Sequence, residues 1–447
     1  MKHFSKILFL FLILWVSLPL GASASQGQAP VWDPPLGSVS GFALMLLAIA
    51  LIPLLAPKFW EKNRNKAIVS FALIIPFGGF ILLHDPKALV FELREYFSFI
   101  ALLGALFVIS GGIYLHGHIF PRPRNNLVLL LIGTLLASVI GTTGAAMLMI
   151  RPLIAANTDR KHVQHTIVFA IFLIANIGGL LTPLGDPPLY MGYLRGVPFL
   201  WTLRLWPMWL LTSIIVLLIY YLIDRYYWAK ESEASKKWEQ KYALPLSMHG
   251  KINFLWLLAI VAIIYFGVKS PFRELGMLAL CLISWFTTPK GVREAHKFTF
   301  APILEVAILF AGIFVTMVPA LLLLEHHGSS MGVTKPWQFF WLAGGLSSFL
   351  DNTPTYLVYL SLAESLNLPL EVPLLSGSGV SNIILAAISC GAVFMGANTY
   401  IGNGPNFMVK VIAEENSVKM PSFFGYMLWS GAILIPAFIL ITWIFFI

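Results

Sequence analysis

The chain has 447 residues, of which 58% are hydrophobic and only 11% charged, against roughly 45–50% and about 25% in soluble domains. No ordinary core can take up so much apolar surface, and a mean hydropathy of +0.82 excludes both a soluble enzyme and a disordered tail, which leaves a bilayer as the solvent. The net charge of +9 comes in short basic clusters between apolar stretches, not on one face; this argues against a nucleic-acid partner and for membrane orientation.

The chain opens on Met1-Lys2-His3-Phe4-Ser5-Lys6, an apolar run from Ile7 to Leu20, and Gly21-Ala22-Ser23-Ala24. A basic start, a short apolar region and an A-x-A pattern are the parts of a signal peptide. Cleavage is expected after Ala24, which places the mature N-terminus outside a bacterial-type inner membrane. Apolar runs of spanning length predict crossings near 40–57, 67–83, 97–115, 166–195, 206–224, 253–268, 274–288, 301–324, 380–409 and 423–447. Two further segments, 127–150 and 337–365, are interrupted midway by Gly141-Thr142-Thr143-Gly144 and by Asp351-Asn352-Thr353-Pro354. Taken as re-entrant hairpins, they leave only Lys87, Arg94, Arg195, Arg204, Lys269, Arg273 and Lys335 in outer loops. Every other loop Lys and Arg then falls inside, as short cytoplasmic loops require. A full crossing by 127–150 would turn the basic loop after Ile223 outward. Cys281 and Cys390 each lie in an apolar run and read as core residues.

The sequence repeats itself. Ser138-Val-Ile-Gly141-Thr142-Thr143-Gly144 aligns at an offset of 210 with Ser348-Phe-Leu-Asp351-Asn352-Thr353-Pro354. Gly179-Leu-Leu-Thr182-Pro-Leu-Gly185-Asp186-Pro187-Pro188 aligns at an offset of 217 with Gly396-Ala-Asn-Thr399-Tyr-Ile-Gly402-Asn403-Gly404-Pro405. Each half therefore reads as three spans, a hairpin, a broken span and a closing span. An odd number of crossings per half inverts the second copy, the plan of many secondary transporters. The expected division is a signal peptide at 1–24, a first repeat at 25–223, a cytoplasmic linker at 224–251 and a second repeat at 252–447.

Helix breaks inside a bilayer free backbone groups at several kcal/mol each unless something pairs them. Four breaks at repeat-related positions therefore point to a substrate site, where half-helix ends offer both positive and negative poles. Few acids fall inside apolar segments: Asp186, Glu305, Asp351 and Glu364. A carboxylate at that depth costs at least ~2.5–3.5 kcal/mol and is functional by default. Asp351 is the strongest candidate, with Asn352 and Thr353 as neighbouring oxygen donors, although it also fits an N-cap before Pro354. Asp186 is either a second ion ligand or a turn residue. Glu305 lies near an inner end, and Glu364 near an outer one. Asn398, Asn403 and Asn406 bracket the second break, whereas Asn176 reads as a partner for freed backbone groups. Arg151 reads as an inner-side anchor, and the histidines lie at span ends without metal-ligand spacing. With no nucleotide-binding motif in the sequence, transport must run on an ion or substrate gradient.

With Asn176-Ile-Gly-Gly179, Thr182 to Pro188, Ser347 to Pro354 and Gly402-Asn403-Gly404-Pro405-Asn406 in view, the chain resembles the ion transporter superfamily. Within it, the hairpin tip at Ser347 to Pro354 and the segment from Asn176 to Asp186 resemble those of the NhaD-type sodium/proton antiporters and the citrate-carrier-like branch. The resemblance implies an all-α membrane fold with two re-entrant hairpins and two broken helices moving as an elevator, and it implies a homodimer. It departs from NhaD-like relatives in lacking an acidic tip on the first hairpin, and from dicarboxylate carriers in lacking Ser-Asn-Thr at either tip. The expected function is Na+/H+ antiport by competition for a mid-membrane carboxylate; the alternative is a cation-coupled citrate or carboxylate carrier. The expected site is Asp351, as tentative Na+ ligand, with Asp186, Asn352, Thr353, Thr143, Thr182, Thr399, Asn403 and Asn398. No cofactor is expected beyond Na+ and H+ as transported or coupling ions.

Overall fold

Each apolar run folds as helix, and proline sets several of the starts. In the computed structural model, residues 32–118, 120, 122–158, 160–231, 244–295, 298–366 and 371–447 are described; the expected signal peptide lies outside them. The chain begins with α1 (Ser40–Leu55), α2 (Asn63–His84) and α3 (Pro86–Ser110). A first hairpin follows, α4 (Pro123–Ile140) and α5 (Thr142–Ala156). The first broken span is α6 (Gln164–Leu173), a 3-10 turn at Ile177–Leu181, and α7 (Pro187–Leu194). It leads into α8 (Trp206–Ala229). The second series repeats the pattern with α9 (Ile252–Tyr265), α10 (Phe272–Thr287), α11 (Ala301–Thr316) and α12 (Val318–His327). Next come the hairpin α13 (Pro336–Ser347) and α14 (Asn352–Glu364), the broken span α15 (Asn382–Met395) and α16 (Gly404–Glu415), and α17 (Phe423–Phe445). Pro86, Pro123, Pro187 and Pro336 each take the first helical position, where a missing amide costs nothing.

Among the described residues, seven helical stretches are long and apolar enough to cross a bilayer, and the bent pair α11–α12 makes an eighth. The chain is a multi-pass membrane protein. Ile75 is 71% and Leu83 83% exposed on α2, as expected of a face meant for lipid. α6 and most of α3 are enclosed by the other helices.

Both interrupted segments fold back on themselves. Gly141, with φ of 80°, turns the chain between α4 and α5 in a conformation open to glycine. A side chain at Gly133, eight residues before it, would sit 3.2 Å from Met149, eight residues after. Across the second hairpin, the rings of Phe339 and Tyr359 lie 6.4 Å apart. A short antiparallel ribbon adds an independent check. β1 (Tyr114–His118), just after α3, pairs with β2 (Leu244–His249), just after α8. These two strands share one side of the membrane only if an even number of crossings separates them, so α4 and α5 together make no net crossing.

Two expectations need correction. The span placed at 97–115 starts at Pro86, where Asp85 accepts from the amides of Lys87 and Ala88 at 3.1 and 3.0 Å; its charged first turns were mistaken for loop. The span at 301–324 bends by 42° between α11 and α12, because Pro319 cannot donate to the preceding turn. The linker, read from its sequence as having no periodic apolar face, contributes the strand β2. Cys281 and Cys390 are free and buried, as expected.

Candidate transport site

The broken spans and the hairpin tips meet in one place, and the repeat dictates how. In the first half, the Thr182 hydroxyl donates to the Ser138 carbonyl at the end of α4 and accepts from the Leu184 amide at 3.2 Å. In the second, the Thr399 hydroxyl donates to the Ser348 carbonyl at 2.5 Å and accepts from the Ile401 amide at 3.2 Å. Each break thus supplies one threonine that ties it to its own hairpin. Gly185 packs on the Gly179 carbonyl, and Gly402 packs likewise on that of Gly396. These four glycines carry the offset of 217 seen in the sequence.

Asp186 and Asn403 occupy equivalent positions just before α7 and α16, both in extended backbone with φ of −137° and −151°. They also touch: the Asn403 amide donates to Asp186 Oδ1 at 3.2 Å. Contact between two residues that the repeat equates places its pseudo-two-fold axis between them. The Thr142 hydroxyl at the first hairpin tip donates to Asp186 Oδ1 at 2.9 Å, and the Asn352 amide at the second donates to Oδ2. Asp186, with 0% exposure, is therefore the hub joining both hairpins to both broken spans. Around it, Asn176 donates to Asn406 Oδ1 at 2.7 Å and to the Ile171 carbonyl at 2.8 Å, while Asn403 donates to the Ala175 carbonyl at 3.0 Å. Asn406 in turn donates to the Gly396 and Thr399 carbonyls at 2.8 and 2.9 Å, so freed carbonyls of both breaks are paired by amide side chains, the role expected of Asn176.

Asp351 lies at the second tip, half-buried, and accepts from the Thr353 amide at 3.1 Å as the N-cap of α14. It immediately precedes Asn352, whose amide reaches Asp186. Asn398 donates to the Ser348 hydroxyl at 2.9 Å. Among the described residues, the side-chain carbonyl oxygens of Asn352 and Asn398 are buried without a hydrogen-bond partner. Four helix N-termini, those of α5, α7, α14 and α16, converge here, and the C-terminal ends of α4 and α13 abut them. Among the described residues, the hydrogen-bond partners of Asp186 and Asp351 are hydroxyls and amides with no basic side chain.

Of the expected site residues, Asp186, Asp351, Asn352, Thr353, Asn398 and Asn403 come together. Thr182 and Thr399 anchor the hairpins, and the hydroxyl reaching Asp186 belongs to Thr142, beside the expected Thr143. Glu305 pairs with Lys66 at 2.7 Å and is 39% exposed, away from this centre. Glu364 accepts from Ser376 and Ser378 at 3.1 Å. Other buried acids escaped notice because they sit in polar stretches. Arg195, just after α7, donates to Glu92 at 2.6 Å and Glu95 at 2.9 Å on α3. Arg160 and His165 hold Asp224 at 2.6 and 2.8 Å.

A family model described as "Putative citrate transport", CitMHS_2, matches residues 33–446. The chain belongs to this family. The match takes in both hairpins and both broken spans, so the site lies within the part that defines the family. No curated protein matches the chain. A citrate-transport family agrees with the citrate-carrier-like resemblance of the motifs, and it makes this multi-pass protein a transporter of small solutes.

Proposed function

We propose that this member of the citrate-transport family is an ion-coupled secondary transporter in which Na+ and H+ compete for the carboxylates Asp186 and Asp351. The setting of Asp186 carries this reading: a carboxylate with no exposure, held among the described residues by neutral donors alone. A proton or a hard cation can neutralise it, and the spare oxygens of Asn352 and Asn398 suit the cation. Competition between the two ligands for one charge yields exchange. The hairpins and broken spans form the moving body of an elevator, within repeats at 25–223 and 252–447 of a homodimer in the inner membrane, its mature N-terminus outside.

A second reading rests on the family match and on the four converging N-termini, which favour an anion. Here the same cation site drives uptake of citrate or a related carboxylate.

Proteoliposomes distinguish the two. An inside-acid vesicle whose pH gradient collapses on adding external Na+, with no organic anion present, supports exchange. Citrate uptake that requires the cation, without such collapse, overturns exchange in favour of the carrier. Asp351→Asn should abolish either activity while the protein still reaches the membrane; full retained activity would reduce Asp351 to a helix cap.

A further inference from the structure

α12 ends in His326 and His327, adjacent residues whose spacing gives no metal signature. The fold brings them a third group from 294 residues away in the chain, Asp33. Its Oδ2 lies 3.1 Å from His327 Nε2, and its Oδ1 lies 3.4 Å from His326 Nδ1. One ligand atom from each of the three falls within 4.8 Å of the other two. Neighbouring side chains on a regular helix diverge, but His327 is the last residue of α12, with φ widened to −119°, and both rings reach the same carboxylate.

Asp33 is itself held in place. Trp32 packs against Phe80 at 5.6 Å and stacks on His84 at 5.2 Å, fixing the N-terminal segment to α2. Pro34 and Pro35 stiffen the backbone that follows, and the Ser38 hydroxyl donates to the Pro35 carbonyl at 2.6 Å. Asp33 and His327 line a cavity of about 500 Å³ beside the cluster. An ion pair between Asp33 and His327 gives no reason for a second ring, only 19% exposed, to turn to the same oxygens.

Two imidazole nitrogens and a carboxylate form a donor set for Zn2+, with the fourth position left to water. Tetrahedral ligands at ~2.0–2.1 Å stand about 3.4 Å from one another, near the two separations of Asp33 from the histidines. We propose that Asp33, His326 and His327 form a transition-metal site of the Zn2+ class, which staples the N-terminal segment to the end of the bent α11–α12 pair. The site is separate from the transport centre and does not depend on what is carried there.

The test uses the full-length protein, free of any histidine tag and stripped with chelator, titrated with Zn2+ alone. One equivalent should bind, and Asp33→Asn or the pair His326→Ala and His327→Ala should weaken binding by about tenfold or more. His162→Ala should bind as the wild type does. Should a variant fold poorly, the wild type still decides: Zn2+ should shield His326 and His327 from diethylpyrocarbonate, as read by mass spectrometry. Absence of stoichiometric binding, equal binding by the variants, or unshielded histidines would each overturn the site.

Discussion

Asp186 governs the centre because three neutral donors from three different elements converge on one carboxylate with no access to water. Hydrogen bonds to a charged group are worth roughly 1.5–3 kcal/mol, so each donor matters to how tightly the site discriminates a proton from a cation. The two threonines of the first tip provide a sharp comparison. Thr142→Val removes a hydroxyl that donates to Asp186 and should lower transport about tenfold, whereas Thr143→Val should leave it nearly unchanged; proteoliposome flux measures both. Equal losses would place the working hydroxyl elsewhere. The residue types of this centre were readable from the chain, since carboxylates and amides inside apolar runs stand out. Which hydroxyl and which acid sit at its middle was not readable, because that depends on contacts between segments far apart in sequence, such as Asn352 and Asp186.

At the level of elements, the helix breaks are held open by glycines that let two backbones touch. A methyl group at Gly185 or Gly402 would run into the carbonyl of Gly179 or Gly396, and main chain cannot give way as a flexible side chain can. Gly185→Ala and Gly402→Ala should therefore both lower the yield of folded protein and abolish transport, as monitored by gel filtration in detergent and by flux. Gly404→Ala, where nothing lies within 4 Å, should be tolerated. A tolerant Gly185→Ala would mean that the break can relax. The periodicity of apolar residues located these elements well, and proline marked many of their starts. It failed at α3 because Glu92 and Glu95 look like loop residues until Arg195 neutralises them.

Across the whole molecule, buried ion pairs join parts that the sequence leaves separate. Arg195 extends from the end of α7 to Glu92 and Glu95 on α3, all three largely enclosed. Removing one partner of a buried pair strands the other charge and costs about 3–5 kcal/mol. Arg195→Gln should thus lower the thermal unfolding midpoint in detergent markedly, and adding Glu92→Gln and Glu95→Gln should recover most of the loss. No recovery would show that Arg195 acts through packing and not through charge. The same links explain the side-to-side consistency of the fold, since β1 with β2, and Asp33 with His327, join segments that an even number of crossings brings to one side.

The chain's own order of residues was enough to establish a membrane protein, its hairpins and breaks, and a repeat whose offsets of 210 and 217 reappear as matched hydrogen bonds. These features are local or periodic: apolar length, proline and glycine positions, and charge between spans act over a few residues or recur at fixed spacing. Only the packed structure decided that Asp186 and not Asp351 lies at the hub, that Arg195 neutralises two acids, and that Asp33 meets two histidines. Each of these joins side chains separated by about a hundred residues or more, and such distances are closed by burial of the whole set of helices, which no single segment encodes.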